Sequence, residues 1–185
     1  MKVTATKLPG LKLIDPAVFG DHRGFFMESY SWREFADNGI DRTFIQDNHS
    51  LSVEAGVLRG LHYQLNPKAQ SKLLRVASGA IYDVVVDIRR GSPTFGQWEG
   101  FIITSSNKRQ LFVPQGFAHG FCTLVPNTEV LYKVDEYYSP ENDRGIAWND
   151  PALCIEWPLH QPILSDKDAE HPVLADAENN FVYEG

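Results

Sequence analysis

The sequence predicts an all-β domain of the sandwich or barrel class. Three observations carry this expectation. Short β-rich runs follow one another at a spacing of about 8–12 residues. Gly, Pro and Asn punctuate them. Helical periodicity is confined to two brief stretches. The runs are 56–64, 71–76, 80–88, 97–103, 110–113, 120–124 and 128–138. One helix is expected after Ser31, with Glu34 three residues on and Asn38-Gly39 as its stop. Ser165 with Asp168 can open a second, short one. The segment after Asp150 is rich in Pro and charge and announces no clear strands.

The 185 residues suffice for one domain with a sizeable core, expected to span 1–185. Hydrophobic content of 43% and charged content of 22% are ordinary for a globular protein. No apolar run approaches the roughly 18–20 residues of a membrane helix, and no signal peptide is evident. The expected location is the cytoplasm, with no membrane partner. Cys122 and Cys154 have neither metal-ligand nor redox spacing and read as reduced core residues. A net charge of −7 argues against a nucleic-acid partner, which needs a basic face. An anionic small ligand would need a local basic pocket, for which Arg23, Arg59, Lys72 and Lys167 are the candidates.

An all-β domain must dispose of its edges. The first dozen residues, with Val3, Leu8, Leu11, Leu13 and Ile14, are too apolar for a free arm. They are expected to add a strand to a partner subunit or to the chain's own sheet.

Six constellations could carry chemistry. In Arg59-Gly60-Leu61-His62-Tyr63-Gln64, strand alternation puts His62 and Gln64 on one face and Arg59 on the other. A bulge at Gly60 would bring Arg59 and His62 to one pocket. Lys72, Leu74 and Val76 share a face of the next strand. The second constellation, Pro114-Gln115-Gly116-Phe117-Ala118-His119-Gly120-Phe121, delivers His119 from a Pro-x-Gly turn. The third holds Tyr132 and Tyr138, six apart, either as packing or as a proton donor and a stacking ring. The fourth is Leu164-Ser165-Asp166-Lys167-Asp168, in which Asp168 is either a helix-capping acid or a carboxylate that orients a histidine. The fifth and sixth, Asp21 to Glu28 and Gln46-Asp47-Asn48-His49-Ser50, mix polar groups with aromatics on short strands. His22, His49, His160 and His171 lack such context and read as surface or satisfied side chains.

The second constellation resembles the second motif of the cupin superfamily. Metal cupins carry a pair of histidines and an acid in their first motif. Here His62 is followed by Gln64 and Lys72, so too few ligands remain for a divalent metal. The expected pocket is metal-free.

Taken together, DHRGFFMES, FIQDNHS, VLRGLHYQ, QSKLLRV, GAIYDVVVDIRRGSPTFG, VPQGFAHGF, VLYKVDEYYSP and LSDKD run in order from Asp21 to Asp168. The ordered set resembles the dTDP-4-dehydrorhamnose 3,5-epimerase family. The resemblance implies a cupin-like β jelly roll, a homodimer that exchanges N-terminal strands, no cofactor and no metal. It implies a nucleotide-sugar substrate, dTDP-4-dehydro-6-deoxyglucose, inverted at C3 and C5 through enolates. In that pattern His62 is the base, Asp168 its orienting partner, Lys72 the countercharge for the enolate oxygen, and Tyr132 the acid on the other face. His119 belongs to the same pocket. Arg23, Glu28, Gln46, Asp47, Asn48, Arg59, Lys167 and Tyr138 match nucleotide-sugar contacts. Asp143 stands where many members carry Glu, a carboxylate one methylene shorter. The rival expectations are an epimerase acting at C3 or C5 alone, a metal-dependent cupin, and a noncatalytic sugar-binding jelly roll.

Overall fold

The computed structural model describes residues 1–185. In chain order the strands are β1 (Lys2–Ala5), β2 (Lys12–Asp15), β3 (Phe19–Asp21), β4 (Gly24–Phe26), β5 (Gln46–Ser52), β6 (Leu58–Gln64) and β7 (Lys72–Ser78). They continue with β8 (Ala80–Asp87), β9 (Trp98–Thr104), β10 (Gln110–Val113), β11 (Phe117–Thr123), β12 (Thr128–Val134) and β13 (Asp143–Gly145). Helix α1 (Trp32–Asp37) follows β4, and α2 (Asp166–Ala169) lies near the C-terminus.

Two antiparallel sheets result. One has six strands in the order β1-β2-β10-β7-β12-β5, and the other has five in the order β13-β6-β11-β8-β9. This is the all-β, cupin-like sandwich that the sequence predicts. The expected edges hold for β10 and fall within a few residues elsewhere. The exceptions are β11, which begins at Phe117 so that His119 lies inside it, and β12, which ends at Val134. Beyond Val134, Asp135 turns inward and accepts the Ser71 backbone N–H at 2.6 Å, which ends the ladder.

The inner faces enclose the main apolar cluster, which includes Leu74, Ile81, Val85, Leu111, Phe121 and Val130. A second cluster covers the outer face of the five-stranded sheet, where Leu61, Val84 and Ile146 meet Leu153 and Phe181 of the C-terminal segment. A third seats Phe35 of α1 against Ile14, Leu73 and Phe112. Fully burying such a side chain contributes about 1.5–3 kcal/mol. The C-terminal segment that announced no strands therefore acts as a cover.

Within the single chain, the N-terminal residues extend the chain's own six-stranded sheet. β2 pairs with β10 and β1 pairs with β2, while Leu8, Leu11 and Ile14 are buried. The β3–β4 hairpin joins neither sheet and exposes Phe19, Phe25 and Phe26. α1 ends as expected at Asn38, with Gly39 at φ +75°, but the Ser31 side chain makes no capping bond. Both cysteines are free. Cys122 is buried as expected, whereas Cys154 is exposed in a turn and is not a core residue. No helix is long and apolar enough to cross a membrane.

The Gly60 bulge is present. Between the pairs His119–His62 and Phe121–Arg59, β6 has one residue more than β11. Gly60 sits at φ +134°, and a Cβ there would lie 2.5 Å from the Gly120 Cα and 2.9 Å from the His119 carbonyl. Both contacts are backbone, so nothing can yield cheaply. Gly60→Ala should therefore destabilise the fold by more than about 2 kcal/mol. Gly91→Ala is the control, because Gly91 has φ +82° with open space around it. Denaturant midpoints check the pair, and an equal loss in both would show that the close approach of β6 and β11 is not what forbids a side chain.

Candidate active site

The bulge resolves the alternation problem at β6. Arg59 and His62, three apart, both line a cavity of about 410 Å³ between the sheets. Lys72 on β7 and Tyr132 on β12 enter it from the six-stranded sheet. His119 enters from β11, directly opposite His62 in register. Ser165, Lys167 and Asp168 close it from the C-terminal segment, with Leu58, Leu74, Phe121 and Val130 as apolar walls.

Ser165, not the Asp168 carboxylate, caps α2, and the carboxylate turns to His62. The Asp168 backbone N–H donates to Ser165 Oγ at 3.1 Å, which makes the cap. Its buried carboxylate meets His62 Nε2 at 2.5 Å. Burial alone would push this carboxyl up. The His62 hydrogen bond and charge, with help from Ser165 and His171, hold it below its ordinary range. An ionised Asp168 places the His62 proton on Nε2 and leaves the Nδ1 lone pair free. The His62 side chain is 32% exposed, and its ring bonds to Asp168 through Nε2 alone.

Lys72 reaches the His62 carbonyl with Nζ at 3.5 Å. Burial pulls its ammonium down to about 8, against the upward pull of Asp143 and Asp83. Tyr132 is raised by burial and opposed by the Arg59 charge, so its phenol stays protonated at neutral pH. His119 is fixed by Asp83, with contacts of 2.9 and 3.1 Å to the two carboxylate oxygens. Burial raises Asp83, and His119 and Lys72 offset part of that rise.

A smaller cavity of about 260 Å³ adjoins the first and shares His62, Lys72, Tyr132 and Lys167 with it. Gln46 and Asn48 line it from one face of β5, joined by a 2.9 Å hydrogen bond. Tyr138 donates to Asp143 at 3.0 Å, and Lys167 pairs with the same Asp143 oxygen. That hydrogen bond is the main reason the Tyr138 phenol is raised. The shorter Asp143 thus still engages both neighbours.

Three expected contacts lie elsewhere in this chain. Asp47 alternates onto the opposite face of β5, where it pairs with Lys133 at 2.7 Å. Arg23 projects from the β3–β4 hairpin, with its side chain 79% exposed and paired to Asp21. Glu28 is exposed beyond that hairpin. Gln64 is committed structurally. Its Nε2 donates to the Lys68 and Tyr137 carbonyls, and its Oε1 accepts from the Ser139 N–H.

Two residues escaped the sequence reading. Asp83 was legible as a lone acid in the apolar run Ala80 to Val86, where only a partner justifies burial. His171 corrects its expected assignment. It is neither on the surface nor satisfied, because its buried Nε2 has no hydrogen-bond partner and its ring meets His62 edge-on. Its spacing from Asp168 gave no signal.

Known proteins resemble the chain as a whole. The sequence pattern of the dTDP-4-dehydrorhamnose 3,5-epimerase family matches residues 5–176. A dTDP-4-dehydrorhamnose 3,5-epimerase of Pseudomonas aeruginosa is 52% identical over 180 residues, covering 96% of this chain and 98% of the relative. Among solved structures, the dTDP-4-dehydrorhamnose 3,5-epimerase of Bacillus anthracis with TDP and PPi bound is 58% identical. It superimposes with a TM-score of 0.91 over 93% of this chain and 98% of that one. The Legionella pneumophila dTDP-6-deoxy-D-glucose-3,5-epimerase in complex with dTDP-4-keto-L-rhamnose is 47% identical. Its TM-score is also 0.91, with 95% of this chain and 93% of that one covered. With the pocket described and these likenesses at full length, the chain belongs to the dTDP-4-dehydrorhamnose 3,5-epimerase family.

Proposed function

We propose that this enzyme inverts C3 and C5 of dTDP-4-dehydro-6-deoxyglucose to give dTDP-4-dehydro-L-rhamnose, without a metal or organic cofactor. The observation that carries the reading is the His62–Asp168 pair facing Lys72 and Tyr132 across one cavity. The C4 ketone acidifies the protons on C3 and C5. His62 Nδ1 removes each in turn, and Asp168 stabilises the imidazolium that forms. The Lys72 ammonium meets the charge that develops on the enolate oxygen. Tyr132, from the opposite sheet, returns a proton to the other face and so inverts the carbon. His119, held by Asp83, completes the wall of the sugar site.

Gln46, Asn48, Arg59, Tyr138, Asp143 and Lys167 supply the nucleotide contacts in this reading. Arg groups suit a diphosphate through bidentate bonding. Arg23 and Glu28 serve the second site of a homodimer, because the hairpin that holds Arg23 exposes three phenyl rings and pairs with neither sheet. Asp47 is left on the surface with Lys133. The working compartment is the cytoplasm, where the two free thiols stay reduced.

Deuterium wash-in separates this reading from an epimerase acting at one carbon. In D₂O the ketosugar nucleotide should acquire label at both C3 and C5 by NMR. Label at one carbon alone selects the rival. In the same assay His62→Asn should lower exchange at both carbons together, by about 10²–10⁴. Near-normal exchange at either carbon would sink the single-base assignment.

Tyr132→Phe keeps the ring and removes the donor. Exchange should then persist better than inversion, because His62 can return the proton to the face it left. Lys72→Met should depress both together. The opposite pattern would mean that the two roles are reversed.

The Lys72 ammonium has a pKa lowered to about 8 and is charged only below it. The countercharge is therefore lost as pH rises through that value, and kcat/KM should turn downward there. Lys72→Arg stays charged across the range and should abolish this alkaline limb. A limb that survives the substitution would assign it to another group.

A further inference from the structure

His171 stands against the catalytic pair without a role in the reaction derived above. Its side chain is 9% exposed, and Nε2 lies 3.4 Å from Asp168 Oδ1, outside hydrogen-bonding geometry. Its ring sits 5.6 Å from the His62 ring at 80°. Gly145, paired with His62 across β13 and β6, makes the room, since a Cβ there would run into the imidazole. A buried imidazole nitrogen with no partner is rare in a native fold and asks for an occupant.

One donor atom each from His62, Asp168 and His171 lies within 4.8 Å of the others. Two imidazoles and a carboxylate form the donor set of three-ligand zinc sites, with the fourth position open. Zinc bonds of about 2.0–2.2 Å in a tetrahedron separate donors by roughly 3.3–3.5 Å. The His171–Asp168 separation of 3.4 Å already meets this. The 2.5 Å His62–Asp168 pair must open by about an ångström to reach it.

We propose that His62, Asp168 and His171 form a binding site for a zinc-class divalent cation, and that its occupancy switches the epimerase off. The site rests on the geometry alone, and the switch rests on the reading of His62 as the base. The cation takes the Nε2 lone pair of His62 where the proton was. The ring stays neutral, so that proton is carried on Nδ1 instead, by exchange through solvent. Nδ1 then has no lone pair to accept a substrate proton. Asp168 exchanges its hydrogen bond from His62 for a bond to the cation. A hard cation such as Mg²⁺ prefers an octahedron of oxygen donors, and of the three residues here only Asp168 offers one.

Calorimetric titration of the full-length protein with Zn²⁺ and with Mg²⁺ tests the site. His171→Ala and His171→Gln are carried alongside, the second to preserve volume. Turnover is followed in zinc buffers with and without EDTA. Wild type should bind Zn²⁺, ignore Mg²⁺, lose turnover as the site fills, and recover it with EDTA. Both variants should keep metal-free turnover. Their zinc affinity and zinc sensitivity should fall by at least about tenfold, since even outer-shell changes at metal sites cost that much. His22, His49, His160 and Cys154 are exposed and unchanged in the variants, so the difference reports this site alone. Equal zinc affinity in wild type and both variants, or no binding by wild type, overturns the site. Binding that depends on His171 but leaves wild-type turnover intact overturns the switch. Calorimetry does not depend on which residue is the base, so a failure of the His62 assignment remains distinguishable from a failure of the site.

Discussion

Gly60 on β6 and Gly120 on β11 approach so closely that neither position can hold a Cβ. A Cβ on Gly120 would lie 2.7 Å from the Arg59 carbonyl and 3.0 Å from the Gly60 Cα. This backbone contact inserts one residue into β6 and resets which side chains face inward. Arg59, outside the cavity by simple alternation, lines it beside His62. Downstream of the bulge, His62 lies opposite His119, and His119 lies opposite Val85 of the next strand. Asp83 on that strand reaches the His119 ring, so the contact of two glycines organises three neighbouring strands around one pocket.

Charge inside the pocket is managed by pairing, as a low-dielectric site requires. Asp83 faces His119, Asp168 faces His62, and Asp143 faces Lys167. Lys72 has only longer-range help from Asp143 and Asp83, so burial dominates and its ammonium is poised near neutrality. An unpaired cation of this kind is unfavourable in the resting protein and becomes useful when an anion develops beside it. The protein's net charge of −7 says nothing of this arrangement, because a few oriented groups set the local field.

Much of this was legible in the sequence where the signal was local. The alternating runs marked the strands, Gly60 marked the bulge, and Ser165 with Asp168 marked a helix start. What stayed hidden depended on how distant strands meet. The motif containing Gln46, Asp47 and Asn48 reads as one polar cluster, yet the two-residue period sends Asp47 to the opposite face. Arg23 has the right chemistry for a diphosphate, but its position depends on where a free hairpin goes. His171 carried no motif at all. Its proximity to His62 arises because the segment after Asp150 folds back over the five-stranded sheet, and sequence spacing does not encode such a return.

That return also explains why the carboxylate paired with His62 comes from so far along the chain. His62 and Asp168 are 106 residues apart. The backbone of Leu58 bonds to the Ile163 carbonyl at 3.0 Å, and Val57 bridges Ile163 in parallel. These contacts dock the segment alongside the start of β6, and two residues later Ser165 opens α2. A single helical turn then sets the Asp168 backbone by its cap and aims the carboxylate inward. A cap is a strong local constraint, and it costs the carboxylate none of its own hydrogen-bonding capacity, because the backbone N–H makes the bond to Ser165. Position and orientation of Asp168 are therefore fixed by groups other than the one that acts on His62. The same economy leaves one Asp168 oxygen within 3.4 Å of a second imidazole, and from that the cation site follows.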